Sequence, residues 1–128
     1  MKAFTIENYF DEFVVGDLIE HSTAKIIFES DKNIFSLMTK NHHPVYTNAD
    51  FAKNHQHQHQ QLLVVGTLVF SLVVGMSVPD VSGKAIANLE YESAKHPDPV
   101  FINDTIDAKA RILGKWETHS FKKEAQYT

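Results

Sequence analysis

The chain contains no cysteine. Disulfides, thiolate metal ligation and a cysteine nucleophile are therefore excluded, and a reducing compartment is the natural setting. It also has no basic stripe: the 12 lysines and arginines are scattered among 16 acidic residues, and the formal charge is -4. No electrostatic footprint for a phosphate backbone results, so a nucleic-acid partner is not expected. Glycine and proline are sparse, at 5 and 4 residues, and no linker or repeat divides the sequence. A single domain over 1–128 is the simplest organisation. The opening "MKAFTIENYFDEF" has early acids and no unbroken apolar centre, unlike a signal peptide, so a cytoplasmic location is expected. Long apolar runs are also missing, with one exception at 62–78, "LLVVGTLVFSLVVGMSV". Its 17 uncharged residues fall short of the ~20 a membrane span needs. They are broken by Gly66, Thr67, Ser71, Gly75 and Ser77, and Pro79-Asp80 follows. A helix apolar on every side is then expected inside the domain, not in a membrane.

What is present is a hydrophobic fraction of 43% and a charged fraction of 22%, an ordinary globular balance. "VVGD" at 14–17 has the form of a turn, and 18–28 carries the strand-like set Thr23, Ile26, Ile27 and Phe28. Ser30 is expected to cap a helix with Ile34, Phe35, Leu37 and Met38 on its apolar face. That helix should stop near 40–43, because Pro44 disfavours helical geometry in the residue before it. Asn48 is expected to cap a short helix that turns Phe51 and Ala52 inward. After the apolar helix the period changes to two. "KAIANLEYESAKH" reads as a long strand, and in "NDTIDAKARILGKWE" Ile106, Ala108, Ala110 and Ile112 alternate with Asp107, Lys109 and Arg111. A last strand is expected to begin within 121–128. Helices followed by consecutive strands predict an α+β fold, an antiparallel sheet wrapped around one central apolar helix. Phe35, Leu37, Phe70 and Leu72 are expected core residues, and Trp116 is either core or interface.

Several stretches together resemble a known family: "YFDEFVVGDLIEHS", "FSLMTKNHHPVYTNADFA", "VVGTLVFSLVVGMSVPD" and "ANLEYESAKHPDPVFINDTIDAKARILGKWE". They look like the MaoC-like hydratases and dehydratases, which have the hot-dog fold and add water to, or remove it from, acyl-CoA thioesters. The segment "PVFINDTI" is similar to the family's proline-valine-phenylalanine, glycine-aspartate-threonine-leucine segment. The "PVF" and "SVPD" surroundings are similar to the branch that acts on branched dicarboxylic esters, the mesaconyl-CoA hydratase and methylmalyl-CoA dehydratase type. The resemblance implies an acyl-CoA substrate, no cofactor and no metal, and a homodimer. It also implies that strands beyond "FKKEAQYT" are missing, so that either the chain is a fragment or a partner subunit covers the gap.

The family holds its reacting water with an aspartate in a glycine-aspartate-x-asparagine-proline turn and a histidine five positions later. Here Asn41 stands at the aspartate position, His43 at the asparagine and Tyr46 at the histidine, while Pro44 is kept. Asparagine can orient water but accepts no proton at neutral pH, and a phenol is a feeble base there. The turn's imidazoles, His43 and His42, are what could still titrate. Gly66 matches the glycine whose N–H polarises the thioester oxygen at the central helix N-terminus; the other explanation is that Gly66 and Gly75 merely permit close packing. The resemblance thus carries Asn41, His43, Tyr46 and Gly66 as candidate catalytic residues of an enoyl-CoA hydratase or dehydratase. The alternative is a weakened hot-dog domain that binds acyl-CoA or pairs with an active subunit. A thioesterase on the same fold would want an acid in the turn, and Asp50 lies too far along. His55, His57 and His59, at spacing two, suit a metal or a solvated loop, and the loop is the expectation.

Overall fold

The computed structural model describes residues 13–55, 61–82, 90–117 and 125–127. In chain order the elements are β1 (Leu18–Glu20), β2 (Lys25–Ile26), α1 (Glu29–Thr39), α2 (Pro44–Thr47), α3 (Ala49–His55), α4 (Gly66–Ser77), β3 (Thr105–Ile106), β4 (Lys109–Arg111), β5 (Lys115–Glu117) and β6 (Ala125–Tyr127). This is the α+β mixture expected, and the strand pairs among the described residues are antiparallel. The chain divides into two compact units.

One unit comprises Lys25–Val73 and Ser93–Ile106. Its core is Ile27, Val64 and Leu68, with Phe35, Val69, Leu72, Val100 and Ile106 packed around them. Burying each large aliphatic side chain contributes roughly 1.5–3 kcal/mol, so these few residues outweigh any single polar contact here. β2 pairs with β3, Lys25 opposite Ile106, and Val64 N–H donates to Val100 O at 2.9 Å. The extended chain before α4 is thereby fixed to the 93–104 stretch.

Helix α1 departs from its expected orientation. Phe35 packs on the core, but Ile34, Leu37 and Met38 are 57%, 67% and 76% exposed while Lys32 and Ser36 are buried. Leu37 is thus not a core residue. Ser30 is not the cap either: the helix starts one residue before it, and Asp31 Oδ2 accepts from Phe28 N–H at 2.8 Å and from Lys25 Nζ at 2.6 Å. These two donors hold the Asp31 carboxyl below the ordinary carboxylate value, against a smaller opposing effect of burial. Asn48 does cap α3, its Oδ1 accepting from Phe51 N–H at 3.0 Å, and Ala52 is fully buried.

The other unit comprises Met1–Ala24, Val74–Glu92 and Asp107–Thr128. β1 pairs with β4, Leu18 opposite Arg111. Gly16 makes the turn of "VVGD" at φ 95°, a backbone region that glycine enters freely. The alternation expected after Asp107 is present, since Ala108, Ala110 and Ile112 turn inward while Asp107, Lys109 and Arg111 are exposed. The single strand expected over 18–28 is instead β1 and β2, because the two pieces pair with different partners. No strand forms over 90–96, which is exposed, and the rest of the long strand expected there lies outside the described residues. β6 pairs with β5, and the side chain of Trp116 lies outside the described residues. No described helix is long and apolar enough to cross a membrane.

In this second unit His21 Nδ1 and Asp80 Oδ2 meet at 2.9 Å, with the two side chains 1% and 7% exposed. Asp80 sits in a π-helical turn, Val78–Ser82, that follows α4. The contact bridges 59 positions of sequence, and nothing in either neighbourhood announced it.

Candidate active site

α1 ends where Lys40 takes the left-handed conformation, φ 61° and ψ 19°. The chain then turns through 41–43, and Pro44 opens α2 at a position where its missing N–H costs nothing. Two of the four candidate residues, Asn41 and His43, lie on this turn, and a third, Tyr46, lies in α2. Asn41 is half-buried, and its Oδ1 lies 3.5 Å from His43 N, a long contact.

His43 caps α2: its Nδ1 accepts from Val45 N–H at 3.2 Å. A nitrogen that accepts carries no proton, so the neutral ring bears its hydrogen on Nε2. Among the described residues that Nε2–H meets no acceptor. Tyr46 stands edge-on to His43, ring centroids 6.1 Å apart. Its carbonyl accepts from Lys32 Nζ at 2.5 Å, and Asn33 Oδ1 accepts from the same ammonium at 2.8 Å. Lys32 therefore pins α2 to α1, and its burial pushes the ammonium below the ordinary lysine value, partly offset by the charge of Glu29.

The fourth candidate, Gly66, is the first residue of α4. Leu63 N–H donates to Val45 O at 3.2 Å, and Gly66 follows only three residues later, at most about 11 Å of chain. The turn and the helix start are thus held in one neighbourhood. Val65, which precedes α4, has no side-chain oxygen to act as a cap; its carbonyl accepts from Leu68 and Val69 N–H. Among the described residues no acceptor meets the N–H of Gly66 or Thr67. A helix start with open donors and no cap is suited to developing negative charge.

His96 adds a feature that sequence reasoning passed over. A Cβ on Gly66 would stand 3.1 Å from Cδ2 and Nε2 of its ring. The glycine thus lets an imidazole stand close to the helix start, and a Cβ there would require the ring to give by a few tenths of an ångström. In sequence His96 is one polar residue in a charged stretch, and only Pro97 behind it, which biases it toward extended backbone, hints at a fixed position. Elsewhere, His55 stacks on Phe51 at 4.2 Å, while His57 and His59 lie outside the described residues.

Residues 12–128 match the family described as MaoC like domain. The chain belongs to that family. This MaoC-like domain is 29% identical over 107 residues to beta-methylmalyl-CoA dehydratase of Chloroflexus aurantiacus, covering 84% of this chain and 30% of the relative. It is 26% identical over 106 residues to mesaconyl-CoA hydratase of Cereibacter sphaeroides, covering 83% and 30%. Both relatives are of the branch expected from "PVF" and "SVPD". A crystal structure of a MaoC domain protein from Chloroflexus aurantiacus superposes with a TM-score of 0.81 at 28% identity, covering 92% of this chain and 33% of that one. The fold is the hot-dog α+β fold of those proteins. The MaoC-like domain spans about a third of the length of these relatives.

Proposed function

We propose that this chain catalyses the reversible hydration of an enoyl-CoA thioester, with a branched dicarboxylic acyl group as in the substrates that name its relatives. The observation that carries the reading is the start of α4, where the Gly66 and Thr67 N–H groups meet no acceptor among the described residues and Gly66 carries no Cβ. A thioester oxygen accepting there gains hydrogen bonds that strengthen as it becomes an enolate oxygen. Asn41 and the Nε2–H of His43 supply neutral groups that orient water, and Tyr46 supplies a hydroxyl donor. The chemistry is acid–base throughout, with the CoA thioester as substrate and no cofactor. We further propose a homodimer, supported by the exposed apolar strip Ile34, Leu37 and Met38, which a monomer would leave in water.

The test follows loss of the conjugated-enoyl absorbance of mesaconyl-CoA and crotonyl-CoA. The parent is expected to turn over at least one of them, and His43→Ala and Tyr46→Phe should each lower kcat about tenfold or more by removing a positioned donor. An inert parent that still binds both esters would replace the enzyme with a binding domain, the reading favoured by the two family residues missing from the turn.

A further inference from the structure

Hydration needs a group that takes a proton from water and returns one to the α-carbon; in the turn only the exposed His42 has an unoccupied imidazole among the described residues, and it makes no described contact with the start of α4, whereas His96 does. The amide of Asn41 accepts no proton, a phenol such as the side chain of Tyr46 offers a donor rather than a base, and Nδ1 of His43 is occupied as a helix cap. Resting on the hydratase reading above, we infer that His96 is the catalytic acid–base residue of this site.

Its ring lies against Gly66, with Nε2 3.1 Å from the place a Cβ would occupy. Neither ring nitrogen meets a hydrogen-bond partner among the described residues, and the residue is exposed, so substrate can reach it. In an enoyl thioester the α-carbon is bonded to the carbonyl carbon and lies about 2.4 Å from the carbonyl oxygen. With that oxygen on the Gly66 N–H, a ring touching Gly66 is within one side-chain rotation of the reacting carbons.

The step balances without any co-reactant. Neutral His96 accepts a proton from water as the water oxygen bonds to the β-carbon. The double-bond electrons move to the α-carbon and thioester, and the Gly66 N–H holds the resulting enolate oxygen. The imidazolium then gives its proton to the α-carbon and the carbonyl re-forms. One water has been added and the imidazole is regenerated.

Parent, His96→Gln and His96→Ala, each as the full chain, are assayed on mesaconyl-CoA and crotonyl-CoA, with thermal melts and ester binding measured alongside. Expected are a kcat lowered about 100-fold in both variants, near-parental ester binding, loss of the acid limb of the pH–rate profile in His96→Gln, and recovery of His96→Ala by free imidazole. An active parent whose His96→Gln variant keeps its rate overturns the role of His96 and leaves the hydratase reading standing. A parent inert on both esters removes that reading and this inference with it. Loss of binding and melting temperature together, without imidazole rescue, would reduce His96 to a structural residue.

Discussion

Gly66 shows how one missing atom serves two purposes. The missing Cβ lets the ring of His96 stand 3.1 Å from its place, and the same absence leaves the first N–H groups of α4 approachable. These two effects separate in Gly66→Ala. Because His96 is exposed, its ring can swing aside, and alanine is the better helix former by up to about 1 kcal/mol. The melting temperature is expected to hold or rise, while hydration of mesaconyl-CoA falls by at least about tenfold as the methyl group screens the oxyanion donors. A variant that melts normally and keeps full activity would remove the thioester from this helix start.

At the scale of an element, α1 is inverted relative to its apolar pattern. The periodicity of Ile34, Leu37 and Met38 is genuine, yet the buried positions are Lys32 and Ser36. Lys32 is held there by bonds to Asn33 and to the Tyr46 carbonyl, so α1 uses a polar anchor to place the site turn. That anchor has a pH signature. Its folded pKa lies below 10.5, the ordinary value, because burial disfavours the charge. Between the two values the unfolded chain binds more protons, so the stability of the folded state rises with pH through that window and levels off above about 10.5. Urea melts at neutral and alkaline pH are expected to show the parent gaining stability relative to Lys32→Met as pH rises. A difference that stays flat would mean the ammonium feels no desolvation. Loosening of the 41–46 turn in Lys32→Met should also appear as faster amide exchange at Val45 and Tyr46.

For the molecule as a whole, the family-level fold could be read from sequence because the evidence was distributed: a 17-residue uncharged run, the alternating segment after Asp107, and collinear stretches of family likeness. Helix and turn positions followed from Pro44, Asn48 and Gly16, whose backbone preferences are local. A homodimer is the expectation at this scale. Light scattering coupled to size exclusion should report twice the mass of the chain, and a monomer at assay concentrations would show that the strip on α1 does not pair two copies.

The sequence by itself determined the helix stop before Pro44, the turn at Gly16, the Asn48 cap and the family likeness, because each of these depends on residue type and short-range spacing. Tertiary structure decided which face of α1 is buried, that His43 spends Nδ1 on a cap, that His21 finds Asp80 across 59 positions, and that His96 stands at Gly66. These depend on which distant segments meet, and long-range pairing follows from packing the whole chain, which no local pattern encodes.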